Sequence, residues 1–419
     1  MSTRGDELDG IFDTTVPVVT LQQTPNAFGH GRVAAARSLG TVGVPVYSVF
    51  DDRWGPTVVS RYSRGGLIRP RPATDEEWVQ NLRALSRRVG NRPVLIPIGD
   101  EDVFFLERCR DALADAYRFP PQPPGLVDRT ADKRAMNALC TELGIATPAA
   151  AFPADEADAV AMAHELGFPA VLKQIDASLP GRQKGLRVLI AGDESALRSG
   201  FRLMESSLQP NVMVQEYIPG DSKSVWMMNA YFGEGSRCFL PFTGQKLRQY
   251  PPNSGATTLG ICSRNETVER ATRELAEAVG YRGIIDIGWR YDSRDDSYKL
   301  LDLNPRLGAT FRLFVGTRGM DVLRALHLDM TGRPIPDDQL VEGRRWITEL
   351  HDLRTSARLI RSGELSVRDW ARSLSGVAEA SWFAPQDPLP AAALVARVVG
   401  VATKRALRRD SIPAGDGRP

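Results

Sequence analysis

The sequence predicts an α/β fold that passes into an α+β one and is closed by a helical extension. Three observations carry that prediction. Short apolar runs alternate with helix-like segments over the first 120 residues. A stack of prolines, Phe119-Pro120-Pro121-Gln122-Pro123-Pro124, then breaks the pattern. Further on, two apolar runs, 283–291 and 298–304, flank a polar turn from Asp292 to Ser297.

The first run, Val16-Pro17-Val18-Val19-Thr20-Leu21, reads as a buried parallel strand. His30 to Leu39 reads as a helix, Val44 to Phe50 as a second strand and Pro93 to Ile98 as a third. Such alternation makes a small α/β domain over 15–120, preceded by a polar, acidic stretch, 1–14, expected to be a disordered tail. Stacked prolines favour extended chain, so 119–124 reads as a linker. Beyond it, 130–144 and 156–167 are expected to be helical. Strands are expected near 169–174, 186–190, 212–217 and 224–232, before the pair around the polar turn. Helices dominate 331–410, and 411–419 reads as a flexible tail.

Bulk properties narrow the function. A chain of 419 residues exceeds one hydrophobic core, so two or three domains are expected. With 42% hydrophobic and 25% charged residues it is an ordinary globular composition. A net charge of +2 lacks the basic footprint of a nucleic-acid binder. Cys109, Cys140, Cys238 and Cys262 are scattered without CxxC spacing, which argues against disulfides or zinc and for a reducing compartment. No signal peptide is visible at the polar N-terminus, and no run approaches the roughly 20 apolar residues of a membrane span. A cytoplasmic location is the expectation.

The two runs around Asp292–Ser297 carry the chemistry. Magnesium takes oxygen ligands and shares them with nucleotide phosphates. Asp302 and Asn304 lie two apart on a strand, so their side chains share a face. Asp286 and Asp302 are each eight residues from Arg294, so a simple hairpin sets them opposite one another. The same alternation marks the solvent face of any hairpin, but acids inside apolar strands are costly unless paired or metal-bound. Arg306 is placed to reach a phosphate on that patch. Upstream, Val171-Leu172-Lys173 ends a strand on a lysine, and Asp132-Lys133 opens a helix. Each lysine suits phosphate as a point charge. Ala177-Ser178-Leu179-Pro180-Gly181-Arg182-Gln183-Lys184-Gly185 is a small-residue basic loop whose N–H groups can fold over phosphates, though it lacks Walker spacing. Val214-Gln215-Glu216-Tyr217-Ile218-Pro219-Gly220 runs a strand into a hinge.

In chain order, Asp132-Lys133, Val171-Leu172-Lys173, Gln215-Glu216-Tyr217-Ile218-Pro219-Gly220 and Leu301-Asp302-Leu303-Asn304-Pro305-Arg306 resemble the ATP-grasp superfamily of the carboxylate–amine ligase type, over roughly residues 125 to 315. The resemblance implies a Rossmann-like pre-ATP-grasp domain at 15–120, then a two-subdomain ATP-grasp fold at 121–330 with a lid-like part at about 140–218, and a helical extension at 331–410. It implies that Lys133, Lys173, Gly181 and Gly185 meet nucleotide phosphates. Glu216, Tyr217 and Ile218 would form the adenine hinge, and Asp221 would serve the ribose. Asp286, Asp302 and Asn304 would hold magnesium, or manganese in its place. Arg306, Lys246, Arg248 and Arg312 become the catalytic cations. The implied reaction takes ATP, a small-molecule carboxylate and an amine through an acyl phosphate, shielded by lids at 176–186 and 252–260. Nucleic acid is not an implied partner.

Other readings stand beside it. Gly29-His30-Gly31-Arg32-Val33-Ala34, with Asp51 and Asp52 about 20 residues on, has the layout of a dinucleotide fingerprint, which proposes an NAD-dependent oxidoreductase. A non-catalytic ATP-binding module is another. The four histidines (His30, His164, His327, His351) lie outside the motifs, which disfavours phosphoryl transfer through histidine. Arg397, Lys404, Arg405, Arg408 and Arg409 give 391–409 a basic amphipathic character. A helix docked on the protein is favoured there over peripheral membrane contact. Trp346 to Leu374 either caps the second domain or forms a homodimer interface.

Overall fold

The computed structural model describes residues 8, 10–26, 29–70, 73–176, 179, 181–183, 186–252 and 255–410, the side chains of 131 and 401–410 excepted. Its first unit runs β1 (Val18–Leu21), α1 (Gly31–Gly40), β2 (Val46–Phe50), β3 (Ser63–Ile68), α2 (Asp75–Val89), β4 (Val94–Pro97), α3 (Asp100–Arg108) and α4 (Arg110–Leu113). The strands form one parallel sheet in the order β3-β2-β1-β4. Its central strands are buried on both faces, as a sheet covered by helices on each side requires, with Thr20 donating to Ser48 Oγ at 2.8 Å within it. Strand β3, Ser-Arg-Gly-Gly-Leu-Ile, was not anticipated, because an edge strand with two glycines carries no apolar run. Asp102, buried in α3, accepts hydrogen bonds from the backbone N–H of Gln23, Ile98 and Gly99. It thereby ties the ends of β1 and β4 to the start of α3.

Next come α5 (Leu126–Ala131), α6 (Lys133–Leu143), β5 (Ala150–Ala151), α7 (Glu156–Leu166), β6 (Ala170–Gln174), β7 (Val188–Ala191), α8 (Glu194–Met204) and β8 (Val212–Glu216). These strands pair antiparallel in the order β5-β8-β6-β7. Helices α7 and α8 begin at Asp155 and Asp193, whose side chains cap the first turn. Their apolar faces supply Ala159, Ala163, Leu197 and Phe201 to the core beneath the sheet.

The third part is β9 (Val225–Phe232), β10 (Cys238–Tyr250), β11 (Ala256–Cys262), α9 (Glu266–Ala278), β12 (Gly283–Asp292), β13 (Ser297–Asn304), α10 (Val322–Met330), β14 (Arg345–Ile347), α11 (Glu349–Arg361), α12 (Val367–Ser373), β15 (Val377–Ala380) and α13 (Leu389–Asp410). Seven strands form one sheet, β13-β12-β9-β10-β11-β14-β15. One face, with Ile285, Ile287, Trp289 and Leu303, packs into a core that includes Val268 and Leu275 of α9.

Three expectations need correction here. Leu8 and Phe12 are buried, 4% and 5% exposed, in the core cluster that holds Met320 and Leu326, so the described part of 1–14 is anchored and not a tail. Segment 331–410 is not purely helical, since β14 and β15 extend the large sheet. The proposed lid at 252–260 is largely strand β11. The expected flexible tail at 411–419 lies outside the described residues.

The start of α13 docks on α1, where Trp382 and Leu394 cluster with Val33, and Arg37 pairs with Asp387 at 2.9 Å. The basic side chains at 404, 405, 408 and 409 lie outside the described side chains. Among the described residues no helix is long and apolar enough to cross a membrane.

Candidate functional site

One face of the large sheet turns polar where β13, β12, β9 and β10 lie side by side. Asp286 pairs with Asn304 on one side and with Asn229 on the other, while Asp302 sits opposite Gly288. The expected pairing of Asp286 with Asp302 is therefore off by two. The turn closes Asp292 onto Ser297, and a register shift between Gly288 and Trp289 displaces the rest. A shift of two residues leaves side chains on the same face, so both acids and Asn304 still converge. Asp286 accepts a hydrogen bond from Asn229 Nδ2 at 2.8 Å. Asn304 Nδ2 donates to the Asp286 carbonyl at 3.1 Å and to Asp302 Oδ2 at 3.3 Å. Two glycines make room: a Cβ at Gly288 would collide with the Asp302 carboxylate, and one at Gly308 with that of Asp286.

The donor set is all oxygen. Burial raises the Asp286 carboxyl above its usual range; Arg306 opposes this and Asp302 adds to it. Asn229 Oδ1 is buried beside Asp286 with no hydrogen-bond partner. Two carboxylates with carboxamide oxygens fit a hard divalent cation that completes its shell with phosphates. Among the described residues no three His, Cys, Asp or Glu side chains converge as a metal group, so phosphate and amide oxygens would be needed.

Three lysines approach from separate elements: Lys133 at the start of α6, Lys173 on β6 and Lys246 on β10. Each feels the charge of Asp302. Among the described residues none of them lies within ion-pair distance of a carboxylate. Burial pulls the Lys173 ammonium down to about 8, helped by Lys133, Lys246 and Arg290 and opposed by Asp302. Three unneutralised, partly desolvated cations facing two acids make a site short of negative charge. Arg306 donates to Asp100 at 2.5 Å and to Asn304 Oδ1 at 3.3 Å, which ties the polar sheet face to α3 of the first unit.

Other expected site residues fall elsewhere. Arg248 is buried and donates from two nitrogens to both oxygens of Asp352, at 2.7 and 2.9 Å, and from a third to Ser373. Arg312 is held by Asp321 at 2.5 Å and Glu379 at 2.8 Å. Both are engaged in ion pairs: a buried guanidinium must be neutralised, and these already are. Gly181 packs on the last turn of α8, where a Cβ would strike the Met204 carbonyl. Gly185, with Ala177, Ser178, Pro180 and Lys184 of the same loop, lies outside the described residues. The Glu216 carboxylate is taken by Lys299 and Arg294, each at 3.1 Å, which leaves only backbone and the side chains of Tyr217 and Ile218 for a hinge. Asp221 Oδ1 accepts from the Lys223 N–H in a short turn.

Four residues escaped the sequence reading. Arg290 donates to the carbonyls of Ile218 and Gly220 at 2.9 and 2.8 Å and so fixes the hinge. Asn229 is the one carboxamide in the otherwise apolar and aromatic run Trp-Met-Met-Asn-Ala-Tyr-Phe. Arg187 is electrostatically coupled to Lys133 and Asp100. Asp100 itself opens α3 directly after β4.

A cleft of roughly 950 Å³ joins these groups to the first unit, lined by Lys133, Arg187, Arg306 and Asp100, and by Gln22, His30, Thr348 and His351. The dinucleotide layout is differently engaged. Arg32 is buried and bonds Asp51 at 2.6 Å, where a ribose would need that carboxylate, and the cavity beside them is only about 10 Å³.

No protein-family model matches the chain. It is 25% identical over 290 residues to a D-aspartate ligase of Enterococcus faecium, covering 65% of this chain and 68% of that protein. It is 25% identical over 321 residues to the carbamoyl phosphate synthase large chain of Deinococcus radiodurans, covering 72% of this chain but only 29% of that one. Among solved structures it resembles the biotin carboxylase domain of the Hydrogenobacter thermophilus 2-oxoglutarate carboxylase, a dimer in complex with MgADP, ADP and bicarbonate. The TM-score is 0.60 at 12% identity, over 78% of this chain and 73% of that one.

Proposed function

The chain belongs to the ATP-grasp superfamily, and from that premise we propose an ATP-dependent ligase that activates a carboxylate as an acyl phosphate and joins it to an amine. The observation that carries the reading is the set of three lysines and Arg306 facing Asp286 and Asp302. Two anions must meet when a carboxylate attacks the γ-phosphate, so positioned cations do most of the work. In this reading Lys133, Lys173 and Lys246 hold the phosphates, and Arg306 draws the carboxylate and the transferred phosphoryl group together. The carboxylate oxygen bonds to phosphorus as the bond to ADP breaks. An amine then attacks the acyl carbon, and phosphate leaves with the bonding pair. Asp286, Asp302 and Asn304 would hold magnesium, which when bound offsets phosphate charge. Arg290 keeps the hinge backbone in place for adenine. The D-aspartate ligase similarity favours an amino-acid-like carboxylate substrate.

The direct test is ADP release with ATP, magnesium and mixed pools of carboxylates and amines, with products read by mass spectrometry. A condensed product at carboxylate plus amine minus water is expected. ADP-free incubations across all pools by folded protein would sink the proposal.

Nucleotide affinity should also depend on pH. The charged form of Lys173 binds phosphate, and its pKa in the free protein is about 8. Bound phosphate stabilises the ammonium and raises that pKa. ATP affinity is therefore full below pH 8 and weakens above it, by up to about tenfold per pH unit until the pKa of the complex is reached. Calorimetric titrations from pH 7 to 9.5 check this, and Lys173→Met should flatten the slope.

A further inference from the structure

The cleft has two chemically different ends. One is the charged end already described. The other is built where α1 and α11 begin, and its side chains Gln22, His30, Thr348 and His351 carry no fixed charge. Thr348 stands at the N-cap of α11, and His30 at that of α1, yet neither side chain caps its helix. A threonine there ordinarily accepts a backbone N–H. Here Thr348 Oγ1 has no hydrogen-bond partner, and the same holds for Gln22 Oε1 and His30 Nδ1. Thr348 is 1% exposed and Gln22 3%, and all three residues line the cleft. Buried polar atoms in folded proteins are nearly always bonded, so three unspent atoms along one cleft point to a ligand. Aromatic rings flank them: His30 lies 5.3 Å from Trp346, and His351 stacks on Tyr250 at 5.2 Å.

The charges nearby are already committed. Arg248 is bound by Asp352, which also accepts from Thr258. Glu349 accepts from Ser381 Oγ and from the N–H groups of Trp382 and Phe383. Burial drives His30 to about 4 and lowers His351 too, so both rings are neutral near pH 7. Arg248, Asp352 and Glu349 therefore offer a second substrate neither a free cation nor a free acid. Glu349 and Asp352 in the first turn of α11 also offset its dipole. Only the open first turn of α1 favours an anion.

We propose that this end of the cleft is the substrate-specificity subsite, and that it takes an uncharged group that both donates and accepts hydrogen bonds, the carboxamide being the simplest. This rests on the ligase reading for the word substrate, but not for binding itself. A subsite built to bond such a group discriminates strongly against partners that leave its polar atoms unpaired.

The test compares L-asparagine and L-glutamine with L-aspartate, L-glutamate, L-lysine and L-leucine, by ADP release and by thermal shift with ATP and magnesium present. In the wild-type protein the amides are expected to show a KM at least about tenfold below their matching acids. Thr348→Val and Gln22→Met keep volume and remove the polar atoms. They should raise the amide KM by about ten- to a hundredfold while leaving the KM for ATP unchanged. Thr348→Val removes no helix cap, so its fold should persist. Acids bound better than amides, or a preference unchanged in both variants, overturns the subsite. If nothing drives ADP release, an amide-specific thermal shift that Thr348→Val abolishes supports the subsite while the ligase reading fails. No shift with any of the six overturns the subsite and leaves the ligase reading to the pooled ADP-release assay.

Discussion

Replacing Asp302 with alanine should lower ADP release by about a thousandfold or more while the protein stays folded. The side chain is exposed, on a strand whose opposite position is Gly288, so its loss opens no cavity. What it removes is the acid whose charge reaches Lys133, Lys173 and Lys246 together. Without it one carboxylate, Asp286, is left to hold a cation, and the mutual repulsion of the lysines loses the one acid that acts on all three. Lys173→Ala should cause a comparable loss through the phosphate side. ADP-release assays paired with thermal melts separate the cases. Full turnover in both variants would remove the site from this sheet face.

Arg248→Met should cost about 3–5 kcal/mol of stability, because it strands Asp352, which is 1% exposed, without its countercharge. Urea unfolding measures the loss. Arg248→Met combined with Asp352→Leu should recover most of it, since an apolar pair of similar volume replaces a buried ion pair at little net cost. Arg248 entered the argument as a catalytic cation, and the double variant decides that as well. A stable double variant with near-normal ADP release is expected. Were stability restored but turnover lost, Arg248 would have to touch the reactants.

The elements that were legible in the sequence are those with long apolar runs or clear helix caps. β1, β2, β4, β6, β7, β8, β9, β12 and β13 were all anticipated within a few residues. The hairpin of β10 and β11 was not, since Thr-Gly-Gln-Lys-Leu-Arg-Gln mixes polar and apolar residues in a strand covered by α11 from another part of the chain. β14 and β15 have three and four residues, too few for periodicity to register. Within the site, Lys246 came only from the resemblance, whereas the acids, Asn304, Lys133 and Lys173 could be read because each interrupts or ends an apolar strand or opens a helix. Asp100 could not, as 206 residues separate it from Arg306 and only the fold brings them together. That Arg248 and Arg312 are held by Asp352, Asp321 and Glu379 could not be read either, since only the fold brings those partners together.

The pairing of Arg37 with Asp387 also bears on how the chain is made. The two residues are 350 apart. A ribosome adding about 5–20 residues per second needs roughly 20 to 70 seconds to make that stretch. Throughout that time α1 has emerged with a guanidinium and Val33 still uncovered. The nascent first unit therefore stays unfinished until the last helix begins to emerge, and chaperone binding or aggregation of early translation products should concentrate on α1.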